Sequence, residues 1–336
     1  MKSILVTGGA GFIGANLVEH LIKSNHNCKI VVIDALTYAG DVHNLNRVKN
    51  ARNFKFVHGN ICDRGLIERV FQHYLITDVI HLAAESHVDN SISHPDVFIE
   101  TNVKGTFTLL DVAYKYWMEK PFVFKHGFEE SRFLHVSTDE VYGTLGETGL
   151  FTEETAYAPN SPYSASKASS DLIVRSYHHT YGMNTVITNC SNNYGPKQHD
   201  EKLIPTVIRK ALAGEHIPIY GDGKNIRDWL YVLDHCKGIE VAFFKGKSGE
   251  VYNIGGENER NNNYIAGQIC EILDTLKPLE NKSYKDLISY VEDRAGHDFR
   301  YAIDATKIET NLGWKADENF ESGILKTVQW YLEKYQ

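Results

Sequence analysis

Tyr163 and Lys167 stand four positions apart in the run Tyr163-Ser164-Ala165-Ser166-Lys167, so a helix through them places both on one face. A free phenol has a pKa of about 10 and is a poor base at neutral pH. A neighbouring ammonium stabilises the phenolate and brings that value down, which would make Tyr163 a proton acceptor for a substrate hydroxyl. The same spacing also arises by chance in many helices. A second candidate is the adjacent acid pair Asp139-Glu140, just past the strand-like run Phe133–Ser137 and Thr138. Most adjacent acids are a solvated loop pair, but two carboxyls in different environments can divide the work of acid and base.

Near the start, Ile4-Leu5-Val6-Thr7 leads into Gly8-Gly9-Ala10-Gly11-Phe12-Ile13-Gly14, a strand, a glycine turn and a helix start. Gly8 and Gly11 permit the tight turn and the approach of backbone N–H groups to a pyrophosphate, and Gly14 allows close helix-to-strand packing. Asp34 ends the second strand, at the distance where a carboxylate accepts hydrogen bonds from adenosine ribose hydroxyls. Its alternative is to cap a turn. The segment Ala35-Leu36-Thr37-Tyr38-Ala39-Gly40 has no Arg or Lys to neutralise a 2′-phosphate, so the pattern calls for NAD rather than NADP. A positive nicotinamide ring would lower the phenol further, and Tyr163 could take a hydroxyl proton while hydride leaves the same carbon.

These residues need a rigid frame. Ile4–Thr7, Lys29–Ile33, Lys55–His58, Asp78–His81, Phe133–Ser137 and Thr185–Asn189 are predicted strands. Ala10–Ser24, Arg64–His73, Pro95–Glu119 and Ser161–Tyr181 carry apolar residues at helical spacing. Six strands with such crossovers make an α/β fold, a doubly wound, Rossmann-type parallel sheet. After about Tyr194 turns and shorter helices follow, with a final helix near Glu321–Tyr335. Residues 1–193 are therefore expected to form the dinucleotide-binding domain carrying the reacting residues. Residues 194–336 are expected to form a smaller lobe for the substrate, with strand exchange between the two allowed for.

The composition agrees with an enzyme of this kind. The 336 residues, 42% of them hydrophobic, suffice for a large core, and a net charge of −8 without a basic stripe argues against nucleic acid. No apolar run approaches the roughly 20 residues of a membrane helix, and MKSILVTGG leaves no room for a signal peptide. Cys28, Cys62, Cys190, Cys236 and Cys270 are isolated and lack metal-ligand spacing, so a reduced cytoplasmic setting without a metal is expected.

The glycine turn, the strand order and the Tyr–Lys pair together resemble the extended short-chain dehydrogenase/reductase family over essentially the whole chain. Within it, Val136-Ser137-Thr138-Asp139-Glu140-Val141-Tyr142-Gly143 resembles the nucleotide-sugar 4,6-dehydratases, whereas 4-epimerases usually show small or hydroxyl residues in place of Asp139-Glu140. The resemblance implies oxidation of a hexose at C4, removal of the C5 proton by Glu140, protonation of the departing C6 hydroxyl by Asp139, and hydride return to C6. Thr138 would hydrogen-bond the reacting hydroxyl, beside Tyr163 and Lys167.

Further stretches are similar to the branch that acts on dTDP-glucose: Leu36–Gly40, Leu82–Asp89, Asn189–Pro196, Glu201–Pro205 and Ile226–Val232. The resemblance places Ser86 and Asp89 at the hexose, Asn192 at the phosphates, Lys202, Leu203, Pro218 and Tyr220 around the nucleotide, and Asn262 and His297 near the far end. Arg227 would bind the diphosphate, as a guanidinium fork can; the alternative is an ion pair with Asp228 or Asp234. Tyr220 or Trp229 could stack on a base or simply fill the core. On the cofactor side it implies Gly8, Gly11, Phe12, Ile13, Gly14, Asp34, Leu36, Thr37 and Gly40, then Asn60 and Ile61, Leu82, Ala83 and Ala84, and Thr101 toward the nicotinamide. Relatives dimerise through the Pro95–Glu119 and Ser161–Tyr181 helices, so a homodimer is implied.

Asn60, Asn90, Ala295 and the loop Lys197-Gln198-His199-Asp200 depart from the usual family pattern, and Lys120–Arg132 reads as an insertion. Other functions left open are UDP-glucose dehydration, 4-epimerisation, and a non-catalytic NAD-binding sensor or scaffold, which the fold alone would permit.

Overall fold

The computed structural model describes residues 1–24, 26–293 and 298–335; the expected contact of His297 lies outside them. Seven parallel strands among the described residues form the central sheet. In chain order they are β1 (Ser3–Thr7), β2 (Lys29–Asp34), β3 (Phe54–His58), β4 (Asp78–His81), β7 (Arg132–Thr138), β8 (Thr185–Cys190) and β12 (Val251–Ile254), with β5 (Met118–Lys120) and β6 (Val123–Phe124) forming a separate hairpin. The spatial order is β12-β8-β7-β4-β1-β2-β3. The direction of winding reverses between β1 and β4, and a crevice opens beyond the carboxyl ends of the strands at such a reversal.

The strands are β-branched runs buried on both faces, as a parallel sheet requires. On one face α1 (Phe12–Lys23) and α8 (Val232–Lys245) cover Ile4, Val6, Ile30, Val32 and Ile80. On the other, α2 (Arg64–Tyr74), α5 (Thr106–Trp117) and α6 (Pro162–Tyr181) cover Leu5, Val31, Val79 and Phe133. Each such side chain, fully buried, contributes about 1.5–3 kcal/mol. α6 is fixed at both ends: Ser161 and Ser164 form a reciprocal capping box ahead of Pro162, and Gly182 closes it at φ +70°.

One expectation needs correction. The sheet has a seventh strand: Val251–Ile254 pairs with β8, Ile254 opposite Cys190, so the chain returns to the first lobe's sheet after Tyr194. The expected Pro95–Glu119 helix runs unbroken from Pro95 to Trp117, with a π segment inside it. α3 (Val88–Ser93) and α4 (Pro95–Phe98) are short, a wide π turn occupies Ile99–Gly105, and α5 ends at Trp117. Asn102 holds the π turn in place by accepting from the Glu85 N–H at 2.8 Å and donating to Ser166 Oγ at 2.8 Å. The insertion becomes the β5–β6 hairpin, whose Phe122 ring packs against Gly182.

The smaller lobe is built from β9 (Asn192–Tyr194), α7 (Leu203–Leu212), β10 (Ile217–Tyr220), β11 (Ile226–Tyr231), β13 (Glu259–Asn261), α9 (Asn262–Leu276), β14 (Ile288–Val291) and α11 (Phe320–Lys334), with α10 (Thr306–Leu312) packed back on α8 and β12. It has its own core, including Tyr194, Ile204, Ile265 and Phe320. Trp229 is buried there, so it is core rather than a stacking platform.

Candidate active site

A cleft of about 340 Å³ lies beyond the carboxyl ends of β1, β2, β4 and β7, with the smaller lobe on its far side. The glycine turn makes its floor. Gly8 sits at φ +68°, and a Cβ there would come within 2.8 Å of the Ala83 backbone; a Cβ on Gly14 would lie 2.1 Å from the Gly8 carbonyl oxygen. The Thr7 hydroxyl accepts from the Leu82 and Ala83 N–H groups, holding the turn after β4 against the one after β1. Gly11 caps α1 with no side-chain acceptor, so the first-turn N–H groups remain available to an anion.

Asp34 lines the cleft while its two oxygens accept from the Ala10 and Leu36 N–H groups at 2.9 and 2.8 Å. It therefore caps the turn and also faces the cleft. The lining further contains Phe12, Ile13, Thr37, Gly40, Asn60, Ile61, Leu82, Ala83, Ala84 and Thr101. Leu36 is absent from it: its N–H holds Asp34 and its side chain packs toward the core.

At the inner end the cleft gathers Thr138, Asp139, Glu140, Tyr163 and Lys167, with Ser86, Asn192 and Lys202 toward the smaller lobe. Asp139 and Glu140 open a 3₁₀ turn directly after β7, Tyr163 and Lys167 lie on the first turns of α6, and Lys202 Nζ reaches the Ser86 carbonyl oxygen at 3.1 Å. Burial, then Glu140 and Asp228, hold the Asp139 carboxyl well above the usual range. Asp139 Oδ2, Asn192 Oδ1 and Gln198 Oε1 are buried with no hydrogen-bond partner among the described residues.

The tyrosine differs from expectation. Burial, then Glu140, push the Tyr163 phenol well above its ordinary value, with Thr138 opposing as a hydrogen-bond partner. The Lys167 ammonium donates to the Val136 carbonyl oxygen at 2.8 Å. The spacing puts the two on one face of α6.

The remaining expected contacts stand outside this lining. Asp89 is on α3, Leu203 begins α7, Pro218 and the 40% exposed Tyr220 lie on β10, and Asn262 begins α9. Arg227, on β11, is buried with its guanidinium 4.2 Å from the centre of the Tyr301 ring, donating to the carbonyl oxygens of Ile226, Asp298 and Phe299. Its alternative ion pairs do not form among the described residues. Asp228 accepts from the Gly256 and Asn258 N–H groups, and Asp234 pairs with Lys237. Arg227 instead acts on Asp139 and Glu140 through space.

Cys190, Ser191, Asn193, Gln198, His199 and Glu201 also line the cleft and were not singled out. Four sit in stretches that carry the resemblance, Asn189–Pro196 and Glu201–Pro205, and Gln198 and His199 in the departing loop. Tyr38 meets His199 edge-on at 5.7 Å. Among the described residues no cluster of three metal-ligating side chains occurs, and no helix is long and apolar enough to cross a membrane.

Comparison with known proteins extends this picture. Residues 5–327 match the family model described as GDP-mannose 4,6 dehydratase. The dTDP-glucose 4,6-dehydratase of Salmonella typhimurium is 54% identical, covering 99% of this chain and 93% of that protein. The crystal structure of dTDP-glucose 4,6-dehydratase from Bacillus anthracis in complex with NAD superposes with a TM-score of 0.86 at 46% identity, over 99% of this chain and 97% of the other. That of the Streptomyces venezuelae dTDP-glucose 4,6-dehydratase, also with NAD bound, gives 0.88 at 44% identity over 98% and 97%.

Proposed function

We propose, from the premise that the chain belongs to the GDP-mannose 4,6 dehydratase family, that it is an NAD-dependent hydro-lyase converting dTDP-glucose to dTDP-4-keto-6-deoxyglucose and water. Its full-length relatives and neighbours with that activity in their names support the substrate and the cofactor. The observation that carries the chemistry is the placement of Asp139, a buried carboxyl whose pKa is raised by burial and by its neighbour Glu140, at the cleft's inner end.

The glycine turn, the α1 N-terminus and Asp34 fit a dinucleotide, with Thr101 toward the reacting end. NAD held there would supply a hydride acceptor for C4 and, once reduced, a hydride donor for C6. Tyr163 takes the C4 hydroxyl proton, with Thr138 bonded to that oxygen, Lys167 at the ribose side, and the positive nicotinamide supplying the charge that offsets burial. The resulting ketone acidifies C5, from which Glu140 removes a proton. Asp139 gives its proton to the departing C6 hydroxyl. Ser86, Asp89 and Asn192 hold the hexose and phosphates, Arg227 the diphosphate, and Lys202, Leu203, Pro218, Tyr220 and Asn262 the nucleoside. Residues 1–193 supply the cofactor and reacting groups, and 194–336 most of the nucleotide contacts.

A homodimer belongs to the same proposal. α5 and α6 pack side by side and leave Phe107 and Leu172 exposed, with Ile99 exposed in the preceding π turn. Phe107→Asp with Leu172→Asp should yield monomers in sedimentation. A reducing cytoplasmic setting suits the five unpaired cysteines. The function is tested by mass spectrometry of dTDP-glucose after incubation with the purified chain: loss of one water supports it, and unchanged sugar nucleotide overturns it.

A further inference from the structure

Behind the cleft lies a buried polar cluster that the proposed reaction does not use. Asp171 is one turn beyond Lys167 on α6, and the two side chains share a face at 1% and 4% exposure. Asp171 Oδ2 accepts from the Ser137 hydroxyl at 2.8 Å and the Tyr157 hydroxyl at 3.0 Å. Its Oδ1 lies 3.1 Å from His135 Nε2. Lys167 has only the neutral Val136 carbonyl as a direct partner among the described residues. A buried ammonium with no nearby counter-charge tends to lose its proton.

The surrounding ionisable groups cannot supply that charge. On β7 and β4, burial holds the imidazoles of His135 and His81 far below their ordinary value, and the lysine adds to this. The phenols of Tyr142, on the turn after β7, and Tyr157, before α6, are pushed upward, and the Cys190 thiol on β8 rises to about 12. All five are neutral near pH 7. Asp171 is the group that most favours the charged lysine, and Lys167 in turn is the main charge opposing the rise of Asp171.

We propose that Asp171 is a positioning residue, the buried counter-charge one helical turn away that acts through space to keep Lys167 charged beside the proposed cofactor and base; this deepens the function proposed above and rests on it. The Asp171 carboxyl is raised to about 7, so the counter-charge is present above neutrality and lost below it. The rate of nicotinamide reduction by dTDP-glucose should therefore rise as pH increases through about 7.

The test compares pH profiles of that rate on either side of neutrality. Asp171→Asn should abolish the rise and shift the alkaline fall-off to lower pH. It should also cut kcat about 10–100-fold above neutrality while KM stays within about threefold. Asp171→Glu should restore part of the rise. Tyr157→Phe, which removes one donor and leaves the carboxylate, should move the rise to higher pH, and it decides the matter if Asp171→Asn does not fold. An Asp171→Asn profile of wild-type shape, lowered equally at every pH, overturns the proposal, as does an unchanged Tyr157→Phe profile. Should the wild-type chain leave dTDP-glucose intact, the proposed function fails. The same variants are then read by NAD affinity against pH: a break near pH 7 lost in Asp171→Asn supports the role, and identical dependences overturn it.

Discussion

The Thr138 hydroxyl donates to Asp139 Oδ1 at 3.3 Å, while Asp139 Oδ2 is buried with no partner among the described residues. One neutral hydrogen bond does not offset the desolvation of a carboxylate, so burial holds the Asp139 carboxyl well above its ordinary value. A carboxyl whose folded pKa lies above its unfolded value gives stability that is complete below the unfolded value and lost as pH rises through the folded one. Asp139→Asn keeps the shape and removes the titration. Its melting temperature relative to wild type should therefore increase from acid to alkaline pH, while turnover falls about 10²–10⁴-fold. Thermal melts across pH check the first and steady-state kinetics the second; a constant difference in melting temperature would contradict the buried-acid assignment.

Gly14→Ala should damage fold and cofactor site together. The added methyl would meet the Gly8 carbonyl oxygen at 2.1 Å, backbone on both sides, so the turn must open. A loss of about 1–3 kcal/mol is expected from overpacking. NAD content of the purified protein should drop in parallel, as read by denaturant titration and by released nucleotide.

Glu19 joins α1 to the segment after β9. Its carboxylate takes Lys23, Arg47 and Lys197, the last at 2.9 Å, and its pKa is lowered to about 2 although burial, the largest single influence, acts the other way. A depressed folded pKa gives stability that is present above the unfolded value of about 4.3 and lost as pH falls through about 2. Glu19→Gln should cost about 2 kcal/mol at pH 7, and the cost should vanish toward pH 2. Urea titrations at several pH values measure this directly.

The legible parts of the molecule were those fixed by local physics. Gly8 and Gly14 could be read because the turn demands a positive φ and a missing Cβ, and six strands because β-branched runs are confined to a doubly buried sheet. The four-residue Val251–Ile254 was missed because its parallel partner, β8, is remote in sequence. The Pro95–Glu119 helix was legible, but the π segment inside it was not, because the apolar pattern continues through it and the Asn102 contacts with Glu85 and Ser166 lie there. Spacing correctly put Tyr163 and Lys167 on one face. It could not reveal that the lysine donates to the Val136 carbonyl, or that burial and then Glu140 raise the phenol. For Arg227, sequence left an ion pair open, and only folding showed the guanidinium turned to backbone carbonyls over Tyr301.

The division of labour between the two neighbouring acids is tested most directly with Glu140→Gln. The purified variant is mixed with dTDP-glucose, nicotinamide reduction is followed by absorbance, and the sugar nucleotide is weighed by mass spectrometry. The account predicts that reduced nicotinamide forms and accumulates while no water is lost, because oxidation at C4 does not need Glu140 and proton removal at C5 does. Formation of the dehydrated product at the wild-type rate would contradict it.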